Sequence, residues 1–140
     1  MASDFRAGAA SVNVSPEAPT LMICGGLHPT GPAKGVLEGH ELYVDAIAMA
    51  AGDTALIIAT CDAGGRSGPG EASVERVVAE RTGCDPSCIR ILSRHNHSSG
   101  ASPADANDAA CRRAVAAYQR KVYQGTIDAC CREYEAMKPA

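Results

Sequence analysis

The residues best suited to chemistry lie in the segment 94–99, which reads Arg-His-Asn-His-Ser-Ser. His95 and His97 are separated by one residue, so in an extended backbone both imidazoles project from the same side of the chain. Neutral imidazole is the commonest metal ligand in proteins, and zinc binds it readily. The spacing makes His95 and His97 a candidate metal site, with hydrolysis as the chemistry that a metal would support; the alternative is that both are solvated polar residues at a strand end.

Asp62 is the third residue of this candidate site. It could be a metal ligand, a general base, or the carboxylate that accepts the second N–H of a ligating imidazole and fixes its tautomer, and we favour the last role. The structural alternative is a turn or helix-capping residue. His28 precedes Pro29 and is interpreted as a loop residue, whereas His40 opens a strand and could face either the site or solvent.

Other polar groups near this segment suggest weaker alternatives. Ser98 and Ser99 follow the histidines, but the Gly-x-Ser-x-Gly turn of many serine hydrolases is missing. The glycine-rich segment 64–70 lacks the Gly-Lys-Ser/Thr ending of a phosphate loop, so we interpret it as a connection or a loop that covers substrate. Arg66 and Arg94 are candidate contacts for an anion.

The seven cysteines are odd in number and irregular in spacing, in a sequence that does not start with an export signal. Reduced thiols in a cytoplasmic protein are the expected state. Cys84 and Cys88 could form a metal or redox pair, but no second pair accompanies them. We interpret them as small buried hydrophobic residues.

The length, charge and apolar runs of the chain exclude some classes of function. A chain of 140 residues corresponds to one ordinary domain, and its formal charge of −3 comes from interspersed residues without a basic run. Nucleic-acid binding needs a surface that neutralises phosphates, so we exclude it. No apolar run approaches the roughly 20 residues that cross a bilayer. The sequence therefore predicts a soluble, cytoplasmic protein.

The elements that must position these side chains follow from apolar spacing. A short strand is expected over 5–14, and a long loop follows it to about residue 39. In residues 42–50, successive side chains fall on opposite faces, as in a strand. Residues 54–60 are apolar on both faces, as in a central strand covered on two sides. The Gly-Asp connection between these segments predicts an antiparallel hairpin.

The second half of the chain predicts a strand–helix–strand unit and a long helix. Valines at helical spacing between residues 71 and 81, with Gly83 as C-cap, indicate a short helix. A strand over 88–93 then lies parallel to 54–60. The last helix should begin with Ser102 as N-cap, Pro103 as first residue and Asp105 in the first turn, be weakened near Gly125, and end by Pro139.

The last helix is expected to bury one apolar stripe and to keep most of its charged residues off it. The stripe comprises Cys111, Val115, Tyr118, Val122, Cys130, Tyr134 and Met137. The charged residues expected to lie largely off the stripe are Arg112, Arg113, Arg120, Arg132, Glu133 and Glu135.

These elements define an α/β fold. We expect a mixed sheet with an antiparallel hairpin and a βαβ crossover, followed by the long C-terminal helix. Because ligands bind at the carboxyl ends of parallel strands, Asp62, His95 and His97 should be neighbours at one edge of the sheet.

Four segments together resemble the N-terminal part of the neutral/alkaline non-lysosomal ceramidase family. They are residues 7–16, 39–46, 61–64 and 93–100, in the same order and at similar spacing, and they extend over most of the chain. The segment 93–100 is similar to the family's Thr-His-Thr-His-Ser-Gly signature. The resemblance implies hydrolysis of an amide bond in a small-molecule or lipid-like substrate, with Zn²⁺ as cofactor.

By resemblance, His95 ligates zinc and His97 lies beside it, while a His, a Glu and a Tyr from later in the family's chain complete the site. Arg94 and Asn96 stand where the family usually has threonines. The chain is accordingly interpreted as an N-terminal fragment or incomplete domain, inactive alone and prone to self-association through an exposed sheet edge. The alternative is a non-catalytic metal-binding or interaction module.

Overall fold

The structure is a computed structural model that describes most of the chain. It covers residues 4–17, 21–23, 29–32, 35–63, 72–94, 96, 99 and 109–140. Its strands are β1 (Phe5–Asn13), β2 (Leu21–Ile23), β3 (Pro29–Pro32), β4 (Tyr43–Ala51), β5 (Thr54–Cys61), β6 (Ile89–Ser93) and β7 (Lys138–Pro139). Its helices are α1 (Val74–Thr82) and α2 (Ala109–Ala136), with a short 3₁₀ helix at Pro86–Cys88.

The main sheet has five strands in the order β6-β5-β4-β1-β7, and β2 and β3 form a separate two-stranded sheet. β4 and β5 form the predicted antiparallel hairpin, and β5 and β6 form the predicted parallel pair. The mixed α/β architecture expected from the sequence is therefore confirmed. Since β1 and β5 are both antiparallel to β4, the carboxyl ends of β1, β5 and β6 lie at the same edge.

Helix α1 is the crossover between the parallel strands. The Ser73 side chain accepts a hydrogen bond from the Arg76 N–H at its start, and Gly83 ends it with a φ of 74°. Only glycine adopts that left-handed conformation at little cost. Val74 and Val78 are buried against the sheet, which confirms the predicted helical spacing.

Helix α2 packs across β1, β4 and β5 and against α1. Val115, Tyr118, Val122 and Cys130 are buried, as the predicted stripe requires. The helix is continuous through Gly125, where an added Cβ would lie 2.7 Å from Val14 Cγ1. Gly125 therefore does not weaken the helix as expected. Its missing side chain instead allows a close approach, so that the helix lies against β1.

Both helices lie on one face of the sheet. Val44, Ala46, Ile57 and Ala59 on that face belong to the core. The opposite face, which we call the open face, carries no helix in the described part of the chain. Its exposed apolar residues include Phe5, Ile47 and Leu92. A groove of about 420 Å³ on it is lined by Ala7, Gly8, Ala9, Ile47 and Met49.

Several expectations need correction. The segment expected to be a loop as far as residue 39 contains β2 and β3. In the described part of the chain, helices cover one side of β5, and Ile58 and Thr60 on its other side are half-buried. Glu133, expected to lie off the apolar stripe, is only 1% exposed.

The carboxyl end of helix α2 lies within the described residues, whereas its predicted start does not. Beyond its carboxyl end, the chain forms β7, which pairs with β1 and was not predicted. The predicted start at Ser102, Pro103 and Asp105 lies outside the described residues. No helix in the described ranges is both long and apolar enough to cross a membrane.

Candidate functional site

Asp62 and Arg94 meet at the sheet edge where β5 and β6 end. Asp62 follows β5 directly, and Arg94 follows β6 directly. The Arg94 N–H donates a hydrogen bond to the Cys61 carbonyl at 3.0 Å, so the parallel pairing continues one residue past β6. The sequence predicted that these two strand ends would converge, and this part of the prediction is confirmed.

Both oxygens of the Asp62 carboxylate have a partner. Oδ2 accepts the Tyr43 N–H at 2.8 Å, and Oδ1 accepts Arg94 Nη1 at 3.0 Å. The Asp62 N–H in turn donates to the Tyr43 carbonyl at 3.0 Å. Asp62 is thus fixed against the start of β4. Each carboxylate oxygen has a second lone pair, so the carboxylate can still accept a hydrogen bond from an imidazole N–H.

The guanidinium of Arg94 extends across β5 to β4. Nη2 donates to Thr60 Oγ1 at 2.9 Å and forms an ion pair with Asp45 Oδ2. The other oxygen of Asp45 accepts Ser11 Oγ at 2.6 Å. A chain of polar contacts therefore runs from β1 through β4 and β5 to the end of β6. We call Ser11, Asp45, Thr60, Asp62 and Arg94 the edge cluster.

The electrostatics of the edge cluster follow from these contacts. The Ser11 hydrogen bond and then the Arg94 guanidinium hold the pKa of Asp45 below its usual value. Asp45 first, and Asp62 second, raise the pKa of Arg94. With two carboxylates and one guanidinium, the cluster has a formal charge of −1. The Arg94 guanidinium is already paired with Asp45 and Asp62, and its role as an anion contact stays a prediction.

The motif 94–99 is described at Arg94, Asn96 and Ser99, whereas His95, His97 and Ser98 lie outside the described residues, as does Arg66. Ser99 is fully buried, and its hydroxyl donates to the Asn96 carbonyl at 3.0 Å. This contact occupies the Ser99 proton and gives no support to Ser99 as the nucleophile of a serine hydrolase, whereas Ser98 is not described.

Of the remaining candidates, His28 lies outside the described residues, and His40, Cys84 and Cys88 do not join the edge cluster. His40 is exposed, and its N–H donates to the Leu37 carbonyl at 3.0 Å. Cys84 is buried and Cys88 is partly buried, and both are free thiols. Burial raises the pKa of the Cys84 thiol, which opposes thiolate chemistry. The burial of Cys84 and the raised pKa of its thiol favour its interpretation as a buried hydrophobic residue.

The donor atoms at this edge decide how a metal could be held. Across the residues that the structure describes, no three His, Cys, Asp or Glu side chains form a metal-binding group. Asp45 and Asp62 are both paired with Arg94. His95 and His97, the metal ligands that the sequence predicts, lie outside the described residues, and catalytic zinc usually has three protein ligands.

Sequence reasoning missed Asp45 and Ser11. Asp45 lies in the alternating segment 42–50 as the one charged residue on the side opposite the core. A charge on that face, in register with a serine of the neighbouring strand, was the available signal. The partnership with Arg94 spans 49 residues, which local spacing does not reveal.

Comparisons with known proteins identify a similar fold. No protein-family model matches the chain, and no curated protein matches it in sequence. Two of the solved structures that match are similar over almost the whole chain. One, a ceramidase complexed with C2, has a TM-score of 0.64 and 14% identity, and the match covers 98% of this chain and 22% of that one. The other is the neutral ceramidase from Pseudomonas aeruginosa, with a TM-score of 0.61 and 16% identity over 99% of this chain and 23% of that one.

This chain has a ceramidase-like fold. At these identities the likeness concerns the fold alone, and the chain spans less than a quarter of the length of the structures it matches. The comparison agrees with the family that the motifs at 7–16, 39–46, 61–64 and 93–100 resemble.

Proposed function

We propose that this chain contributes to a ceramidase-like, zinc-dependent site for amide hydrolysis at the edge that carries Asp62 and Arg94. One observation supports this proposal above the others. The His-x-His motif begins directly after Arg94, at the carboxyl end of a parallel strand pair, in a fold similar to that of ceramidases. Ligand sites favour this position in α/β sheets.

The proposed roles of the two histidines follow the resemblance, and that of Asp62 follows from its position and contacts. His95 is the zinc ligand, and His97 is the neighbouring imidazole. Asp62, fixed by Tyr43 and Arg94, accepts an imidazole N–H and thereby orients the ring. When bound, zinc supplies a Lewis acid for the amide carbonyl and lowers the pKa of water to about 7. Completion of the site requires ligands in addition to these two imidazoles.

The proposed substrate is a small molecule with an amide bond, and both lipid-like and soluble amides are consistent with the residues present. A cytoplasmic location remains a prediction. A panel of N-acyl amides with short and long acyl chains would define the substrate class by the rate of carboxylate release.

Zinc titration of the purified chain by isothermal calorimetry tests the metal site. The expected result is that wild-type protein binds zinc more tightly than a His95→Ala, His97→Ala double variant. His40→Ala is the matched control, because His40 is an exposed imidazole outside the motif. Equal binding by wild-type protein and the double variant would refute the metal site. Equal weakening in His40→Ala would indicate unspecific binding to surface imidazoles.

A second candidate function is a metal-binding module without turnover. It is favoured by the donor set, because the described carboxylates of the edge cluster are paired with Arg94 and leave two imidazoles as ligands. Incubation of the zinc-loaded chain with the amide panel separates the candidates. Zinc binding that depends on His95 and His97, without release of carboxylate, would favour the binding module.

A further inference from the structure

We propose that the segment 133–140 is a pH-dependent latch on the outer edge of β1, closed when the Glu133 side chain is neutral and released when it is ionised. The latch comprises the last turn of α2 and the two-residue strand β7. Among the described residues, Glu133 is the one charged side chain that is buried.

The latch covers a strand that would otherwise lie at the margin of the sheet. β7 is the strand outside β1, and it pairs with β1 over two residues. The Ala140 N–H adds a hydrogen bond to the Phe5 carbonyl at 3.1 Å. Because Pro139 has no N–H, few backbone hydrogen bonds hold β7 in place. Release of the latch would uncover backbone groups of β1 that can pair with another strand.

Glu133 lies where the latch contacts β1. A Cβ added to Gly8 would lie 2.7 Å from the Glu133 carbonyl oxygen and 3.5 Å from Met137 Cα, so the helix end and the strand meet backbone to backbone. The Glu133 side chain is buried, and within the described residues neither carboxylate oxygen has a hydrogen-bond partner. An ionised carboxylate without a partner is far more costly to bury than a neutral carboxyl group. The closed latch therefore favours the neutral form.

The charged residues that flank Glu133 on the latch, on α2 and on β1 are exposed. They are Arg132 and Glu135 on α2, Arg6 on β1 and Lys138 on β7. Lys138 pairs with Ala7 on the open side of β1, so its side chain lies on the other side of the sheet from Glu133. Within the described residues, no cation is buried beside the carboxyl group.

The remaining elements that pack against α2 add no positive charge to this site. On α2 itself, the Cys130 thiol lies one turn before Glu133, and burial raises the pKa of this thiol to about 12, so it is neutral. Glu75 on α1 is half-buried and has the same sign as Glu133. β4 and β5 direct apolar residues and the buried Cys61 thiol toward the helices. Burial accordingly raises the pKa of Glu133 to about 7.

The direction of the pH dependence follows from where the proton is held. In the released latch Glu133 is in water and loses its proton near pH 4.5, whereas in the closed latch it keeps the proton to about pH 7. Release is therefore favoured progressively as the pH rises between these values, and the effect is level above them. From pH 5 to pH 7 the equilibrium constant for release should rise roughly 40-fold.

Amide hydrogen exchange at pH 5 and pH 7, corrected for the intrinsic exchange rate at each pH, measures this release. The probes are the amides of residues 134–136 and of Ala140, whose hydrogen bonds are broken by release. Their protection factors in the wild type should fall roughly 40-fold from pH 5 to pH 7. They should also be at least about 10-fold lower than that of Ala59 in the central strand β5, which exchanges by global unfolding. Protection equal to that of Ala59 would overturn the latch, because the segment would then open only with the whole chain.

Substitution of Glu133 separates its charge from other causes of pH dependence. Glu133→Gln and Glu133→Met cannot ionise, so protection of the same amides should change by less than about 3-fold between the two pH values. Glu135→Gln, the exposed matched control, should keep the change of the wild type. A wild-type change that persists in either Glu133 variant would refute the role of Glu133. The wild type also decides alone, since equal protection at pH 5 and pH 7 would refute the latch even if neither variant folded.

Discussion

Glu133 should make the free energy of unfolding depend on pH. Its side chain lies on α2 beneath β1 and is only 1% exposed. Among the described residues, neither carboxylate oxygen has a hydrogen-bond partner. Burial raises the pKa of Glu133 from 4.5 to about 7. Arg6, the charged residue on the same side of β1 as Ala10, is exposed.

The sign of the effect follows from proton binding. The unfolded chain releases the Glu133 proton near pH 4.5, whereas the folded chain keeps it until about pH 7. Stability therefore falls as the pH rises between these values and is level above them. Between pH 5 and pH 8, this single group should lower the free energy of unfolding by roughly 2.5 kcal/mol.

The Glu133→Gln substitution removes the titration and keeps the shape of the side chain. Urea unfolding followed by circular dichroism at pH 5 and pH 8 gives the free energy of unfolding of each protein. The free energy of unfolding of the variant, taken relative to that of the wild type, should be roughly 2.5 kcal/mol higher at pH 8 than at pH 5, because the cost of burying an amide does not depend on pH. Glu135→Gln, at an exposed position two residues further on, is the control. A pH-independent difference between wild type and Glu133→Gln would refute the reasoning.

Three further predictions concern packing, the edge cluster and the open face. Gly8→Ala should lower the free energy of unfolding by about 1–3 kcal/mol, because the new Cβ would lie 2.7 Å from the Glu133 carbonyl oxygen; Gly35→Ala, with open space around it, should have little effect in the same urea assay. Ser11→Ala should raise the pKa of Asp45 in a carbon-13 NMR titration, since the Ser11 hydrogen bond is the largest cause of its lowering; an unchanged pKa would contradict that cause. Self-association, if it uses the open face, should be visible as concentration-dependent sedimentation and should decrease in Ile47→Lys, because Ile47 is 43% exposed at the centre of that face.

The sequence predicts those parts of the fold that depend on local spacing. Alternation in 42–50 and the helical spacing of Val74 and Val78 each report which face is buried, and Gly83 marks the end of α1. The parallel pairing of β5 and β6 then follows from connection rules. For these reasons the sequence alone predicts the sheet edge that carries Asp62.

The remaining features depend on contacts between distant segments. Glu133 occupies a charged position in the sequence pattern, and only the path of α2 beneath β1 shows that it is buried. Gly125 resembles a helix-weakening residue until Val14 is seen against it. The role of Arg94 depends on partners 32 and 49 residues away, which the motif itself does not indicate.

The contacts of Arg94 also bear on how β6 finds its place during folding. β6 lies at the edge of the sheet, where one neighbouring strand specifies its alignment. A slip of one residue against β5 would expose Ile89 and Ile91 and would turn Arg94 towards the core, away from Asp45 and Asp62. Burial on one face and charge pairing on the other therefore select the same alignment. The arginine makes a misaligned strand costly as well as making the correct one stable.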